Sequence, residues 1–133
     1  AEAALPNTPP PIVLQAVAEP RGLAPSPPGR YDAVFSANTL HIMGWPEVER
    51  LFAGLPDILA RDARLAVYGP FNYGGKFTSE SNAAFDAWLK GQGAHQGLRD
   101  FEAVDALARK AGLVLLEDRA MPSNNRCIVW RSA

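Results

Sequence analysis

Cysteine is almost missing from this chain. Cys127 stands alone among 133 residues, so no intrachain disulfide can form and the sequence fits a reducing compartment. Histidine is scarce as well. Only His41 and His95 occur, no Cys/His cluster has zinc spacing, and no metal is expected. Neither sign of charge dominates: thirteen basic residues against fourteen acidic ones leave a formal charge of −1, and no basic face is evident. That balance argues against a nucleic-acid partner gripped through its phosphates. No apolar run reaches the roughly 18–20 residues needed to cross a bilayer. The first residues lack a charged segment followed by an apolar one, the mark of a secretory leader. A cytoplasmic protein without a membrane partner is the expectation. There is also no Walker-type glycine loop before a Lys-Ser/Thr pair and no G-x-S-x-G elbow.

What is present is core-forming. Apolar residues make up 47% of the chain and charged ones 20%, which suits one globular domain over 1–133 and excludes a disordered chain. The sequence starts at Ala1 without an initiator Met, and its first seven residues read as the frayed end of a helix. The expectation is the rear portion of a longer polypeptide. Pro9, Pro10 and Pro11 close that remnant, and 12–17 follow as a short apolar strand. Residues 19–30, with four prolines and two glycines, read as a loop. The next strand, Asp32-Ala33-Val34-Phe35-Ser36-Ala37, is apolar enough to be buried on both faces, as in a parallel sheet.

A helix then starts at Gly44-Trp45-Pro46 and carries Val48, Leu51, Phe52, Leu55, Ile58 and Leu59 at helical spacing, with Pro56 expected to kink or split it. A second buried strand covers 64–71. Residues 72–81 read as loop, 83–90 as a short helix with Phe85, Trp88 and Leu89 on one side, and 91–99 as loop again. Asp100 reads as the N-cap of a helix over 101–111 that Gly112 stops. Strands over 113–116 and 127–130, joined by Met121-Pro122-Ser123-Asn124-Asn125, form an antiparallel hairpin. The order is that of an α/β sheet closed by a hairpin. Three polar connections fall on its carboxyl edge: those after Ala37, after Phe71 and within the hairpin. Ligands of open α/β sheets bind at that edge.

The side chains there define the candidate chemistry. His41 reads either as a proton-moving imidazole or as a helix-start histidine bonded to a carbonyl. Asn38 reads as a ligand contact or as a left-handed turn residue. Tyr68-Gly69-Pro70-Phe71 would let a substrate approach the backbone or would simply end a strand. Ser79, Ser81 and Asn82 read as pocket hydroxyls and amide, or as a helix cap. Arg99 reads as a substrate contact or as one half of a pair with Asp100 that orients the loop. Ser123, Asn124 and Asn125 read as turn residues whose place on the edge raises the odds of substrate contact. His95 reads as solvated and Cys127 as an inert core residue.

The segments YDAVFSANTLHIMGW, LFAGLPDILARDARLAVYGPFNYGGKFTSESNAAFDAWL, LRDFEAVDALARKAGL and MPSNNRCIVW together resemble class I S-adenosylmethionine-dependent methyltransferases, of the group called methyltransferase-like 26. The resemblance spans nearly the whole chain. It implies the C-terminal part of a Rossmann-like sheet of strand order 3-2-1-4-5-7-6, with helices on its faces. On this mapping 12–17 is strand three, 32–37 strand four and 64–71 strand five. Strands one and two, with the glycine-rich cofactor loop, would precede Ala1. The resemblance implies S-adenosylmethionine as cofactor, with Gln15, Ala16, Ser36 and Asn38 on the cofactor side, although the family tends to carry an acid where Gln15 stands. It implies a small-molecule acceptor met by Tyr68, Gly69, Pro70, Phe71, Ser79, Ser81, Asn82, Arg99, Asn124 and Asn125, with 72–99 as a substrate-side insertion. His41 resembles the proton-abstracting histidine that small-molecule O-methyltransferases place after strand four. The alternative is a non-catalytic interaction module on the same sheet. Without strands one and two, 12–17 would lack a neighbouring strand and 32–37 would expose a bare edge, which invites aggregation, a homodimer through that edge, or completion by further residues.

Overall fold

The computed structural model describes residues 15–17, 22–24 and 29–133. The helical remnant and triple proline expected at the start lie outside the described residues, as do 12–14. Gln15–Val17 (β1) and Gly22–Ala24 (β2) form a short antiparallel hairpin alongside the first helix. Two expectations are corrected here. Residues 15–17 do have a strand partner, and the stretch 19–30 is not loop throughout. A lone strand leaves its N–H and C=O groups unpaired, and the nearest chain that can turn back to satisfy them is 22–24.

The main sheet holds Tyr31–Ala37 (β3), Leu59–Gly69 (β4), Leu113–Met121 (β7) and Asn125–Ser132 (β8) in the order β3-β4-β8-β7. β3 runs parallel to β4, whereas β8 is antiparallel to both β4 and β7. In the numbering implied by the resemblance this is 4-5-7-6, and the antiparallel strand is where it should be. Phe71–Asn72 (β5) and Arg99–Asp100 (β6) add a small parallel pair.

The strands run longer than the apolar runs alone indicate, because pairing extends them into polar residues. β4 begins at Leu59 rather than Arg64, and its register with β3 shifts between Tyr31 and Ala33. Asp62, at φ 60°, lies in the β4 stretch facing that shift and accepts a 2.9 Å bond from Arg131. Pro56 does split its helix. Trp45–Gly54 (α1) stops, Leu55–Asp57 makes one 3₁₀ turn, and Leu59 is already strand. The other helices are Glu80–Gln92 (α2) and Phe101–Lys110 (α3); Asp100 takes the N-cap position of α3 without a side-chain cap bond.

Among the described residues, one face of the sheet is covered and the other is not. Register and two-residue periodicity put Val34, Leu65 and Trp130 on one side, and Phe35, Ala66 and Val129 on the other. The first side packs with α1 and α3 into a core of Val48, Phe52, Leu55, Val104, Ile128 and Trp130. Trp130 meets Phe52 edge to face, and its indole N–H donates to Asp105 at 2.9 Å. On the other side Phe35 is 66% exposed. Ile128 lies at the centre of the packed layer with no exposed surface. Ile128→Ala should therefore cost about 2–5 kcal/mol in urea denaturation; a loss below about 1 kcal/mol would contradict this packing.

Candidate functional site

Ala37 pairs with Tyr68 and Gly69 pairs with Arg126, so β3, β4 and the start of β8 end on one rim. Asn38 continues the pairing by one bond, its N–H donating to Tyr68 O at 2.9 Å, and then turns the chain at φ 54°. Thr39 Oγ1 closes the turn on Ala37 O at 3.0 Å. Leu40 goes into the core and His41 follows it inward, only 6% exposed. Across from them Gly69 adopts φ 154°, a conformation that favours glycine. A Cβ there would stand 3.7 Å from Asn38 Oδ1 and 3.8 Å from His41 Nδ1, so Gly69 lies between the two polar side chains.

The second wall is the start of α2. Ser79 caps the helix by accepting from Asn82 N–H at 3.0 Å, so the cap reading holds for Ser79. Asn82 is buried and its amide donates to Thr78 Oγ1 at 3.0 Å and to Asn124 O at 3.5 Å. Asn124 answers with a 3.3 Å bond to Ser81 Oγ. The hairpin tip is thereby latched to the helix start. Asn125 donates to Tyr68 Oη and to Pro122 O, each at 3.2 Å. Ser123 and Asn124, at φ 62° and 59°, are both left-handed.

These walls enclose an open cleft of about 550 Å³ lined by Asn38, Pro70, Ser81, Asn82, Phe85, Ser123, Asn124 and Asn125. Every polar group on its wall is a neutral amide or hydroxyl. Three of the four non-glycine residues with positive φ among the described residues line it, and such strain gathers where a site is held in shape. His41 stands behind the wall, its ring edge-on to Phe85 with centroids 5.4 Å apart, and Phe85 stacks on Trp88. Burial, and secondarily the charge of Arg99, hold the His41 imidazole below its ordinary value of 6.5. It is neutral at pH 7 and able to accept a proton.

The structure distributes the remaining candidates differently. Ser36 faces a second, apolar cavity of about 430 Å³ along β3, shared with Phe35, Leu51 and Leu65. Gln15 and Ala16 are on the β1 hairpin, outside the main sheet. Phe71 is a core residue, 2% exposed. Arg99 donates to the carbonyls of Leu40, Met43 and His95 instead of lining the cleft. Cys127 is half-buried on the open face and His95 is exposed. One lining residue escaped the sequence reading, Phe85. Phe85 was findable, since it follows Ser81 and Asn82 at i+4 and i+3 on one helix face. Nearby, Tyr73 donates to Asp118 at 2.7 Å, and Arg126 bonds the same carboxylate at 2.8 Å, which ties the loop after β5 to the hairpin.

The model of the family described as "Protein of unknown function (DUF938)" matches residues 1–132. The chain belongs to this family. Among the solved structures similar to the DUF938 chain are methyltransferases. An O-methyltransferase family protein from Burkholderia thailandensis superposes with a TM-score of 0.70 at 16% identity, over 80% of this chain and 31% of that one. An O-methyltransferase family 2 protein from Planctomyces limnophilus, in complex with apigenin, gives 0.71 at 16%, over 78% and 31%. CalO1, a methyltransferase in calicheamicin biosynthesis solved with SAH bound, gives 0.65 at 17%, over 78% and 31%. The fold is thus that of the C-terminal part of a class I methyltransferase. The chain spans about a third of the length of these neighbours.

Two outcomes follow from the geometry. Gly69→Ala should destabilise by about 1–3 kcal/mol through its positive φ and shift the NMR signals of Asn38 and His41; silent signals at both would contradict the contact. His41 has a depressed folded-state value, so the unfolded chain binds more protons as pH falls below 6.5. Stability should be complete above that pH and decline below it, until the folded-state group is also protonated. His41→Gln should flatten that decline; a denaturation profile with an unchanged slope would show that His41 is not its source.

Proposed function

We propose that this chain is the C-terminal, acceptor-side portion of an S-adenosylmethionine-dependent methyltransferase of the methyltransferase-like 26 type, acting on a small molecule. The observation that carries this reading is the neutral polar cleft at the common rim of β3, β4 and β8, backed by the buried imidazole of His41. Methyl transfer is an in-line displacement, so the protein's task is alignment, with removal of a proton if the acceptor is a hydroxyl. In this reading His41, neutral at pH 7, takes that proton. Asn38, Ser81, Asn82, Asn124 and Asn125 orient the acceptor through hydrogen bonds, and Tyr68, Gly69 and Pro70 shape the floor. The segment 72–99 acts as the substrate-side insertion. The near-zero net charge favours a small molecule over nucleic acid, and the lone cysteine favours a cytoplasmic setting.

The cofactor, when bound, supplies the electrophilic methyl group. The residues present fit one flank of its site. Ser36 and Asn38 stand at the end of β3, beside the open sheet edge, and Gln15 and Ala16 are the proposed contacts from β1. The described turn from β3 into α1 holds a single glycine, Gly44, so it is not a glycine-rich cofactor turn. A preceding strand, running parallel to β3, would bring that turn and pair the free edge of β3. A second copy paired through β3 is the other way to cover it, giving a homodimer.

Calorimetry with S-adenosylhomocysteine tests the reading. The complete protein should bind it, the 133-residue chain alone weakly or not at all. Asn38→Ala in the complete protein should lose about tenfold, or about 1.4 kcal/mol. Once an acceptor is in hand, His41→Gln should reduce turnover by about 10²–10⁴. Micromolar binding by the isolated chain, or full turnover by His41→Gln, would refute the corresponding half. A complete protein that ignores the nucleoside would favour an interaction module, whose docking surface would be the open face around Phe35.

A further inference from the structure

We propose that Arg99 is a positioning residue for His41: its guanidinium clamps the loop that carries the imidazole against the carboxyl ends of β3 and β4. The role matters for catalysis only if His41 is the base, as proposed above. Arg99 Nε donates to Leu40 O at 3.2 Å, and its Nη2 donates to Met43 O and, at 2.8 Å, to His95 O. Two of these carbonyls lie on either side of residue 41. The carbonyl of His41 itself accepts from Gly97 N–H at 3.0 Å, so the loop is tied to 95–99 at three carbonyls, those of 40, 41 and 43. The guanidinium also lies over the Trp45 ring, 5.8 Å from its centroid, which sets its orientation. The planar fork reaches these carbonyls from two separate nitrogens, whereas an ammonium gathers its three donors on one flexible point.

The charged neighbours on α1 and α2 have partners of their own. Asp86 on α2 accepts from Leu98 N–H at 2.8 Å and pairs with Lys90, also at 2.8 Å. Glu47 on α1 is a partner of Arg50 at 3.7 Å, and Asp86 and Glu47 both act on Arg99. Asp100 follows Arg99 in β6. Burial first, and Arg99 second, bear on the imidazole. Removing the guanidinium therefore removes a repelling charge and loosens the cover of the ring. Both changes move His41 in the same direction, up.

The test is an NMR titration of the two histidines in the complete protein, with backbone amides of 38–44 followed alongside. Arg99→Gln should raise the His41 midpoint toward 6.5 and shift the loop amides. Arg99→Lys, which keeps the charge and loses the fork, should raise it less while still shifting those amides. A folded Arg99→Gln protein with the His41 titration and the loop amides unchanged would overturn the proposal. Should that variant fail to fold, a folded Arg99→Lys protein with unmoved loop amides would overturn it equally. If the amides and midpoint move while His41→Gln turns over normally, the clamp stands and the base reading falls.

Discussion

The parallel pairing of β3 with β4 is the constraint from which the site follows. Its register sets Ala37 opposite Tyr68, so both strands end together. Because β8 runs antiparallel to β4, the hairpin tip reaches the same rim instead of the opposite one. Three chain segments far apart in sequence are thereby delivered to one edge, the β3 end and the hairpin bringing short polar side chains and the β4 end Pro70. Shifting the β3 register by one residue would move Val34 off the packed layer and send Phe35 into it. Asn38 would then no longer turn beside Gly69.

The packed layer and the site depend on each other through a few shared residues. Leu40 is buried in the core and drags His41 inward after it. Asn82 is at once an element of the α2 start and the point where the hairpin tip is latched. Asp118 holds Tyr73 and Arg126 together, so the loop after β5 cannot move independently of β8. The result is a cleft whose walls are neutral and whose shape is over-determined. Neutral amides suit orientation better than strong electrostatic capture, which agrees with a chemistry in which alignment does most of the work.

Much of this was legible in the sequence because period-two and 3.6-residue patterns report burial directly. The strands around Val34, Leu65 and Ile128, the α1 stripe and the Pro56 break could be read off, although the burial of 32–37 on both faces could not: Phe35 is exposed. So could the rim residues Asn38, Asn124 and Asn125, since turn chemistry and strand ends mark them. Other features were hidden for physical reasons. Strand ends are set by pairing and not by hydrophobicity, so β4 and β7 extend through charged residues such as Arg61 and Arg119. The β1–β2 pair is too short, and too rich in proline nearby, to show a pattern. Arg99 looked like a ligand contact because nothing in sequence shows that three carbonyls converge on it. Phe71 looked like a rim residue but belongs to the core, because Gly69 and Pro70 turn the chain before it.

The central claim is that this rim, at the carboxyl ends of β3 and β4, is where donor and acceptor meet. A crystal structure of the complete protein with S-adenosylhomocysteine tests it most directly. The account predicts the nucleoside's sulfur beside Asn38 and Gly69, facing the cleft that holds Phe85 and Asn124. A nucleoside seated elsewhere, such as in the groove between α1 and α3, with the rim untouched, would contradict it.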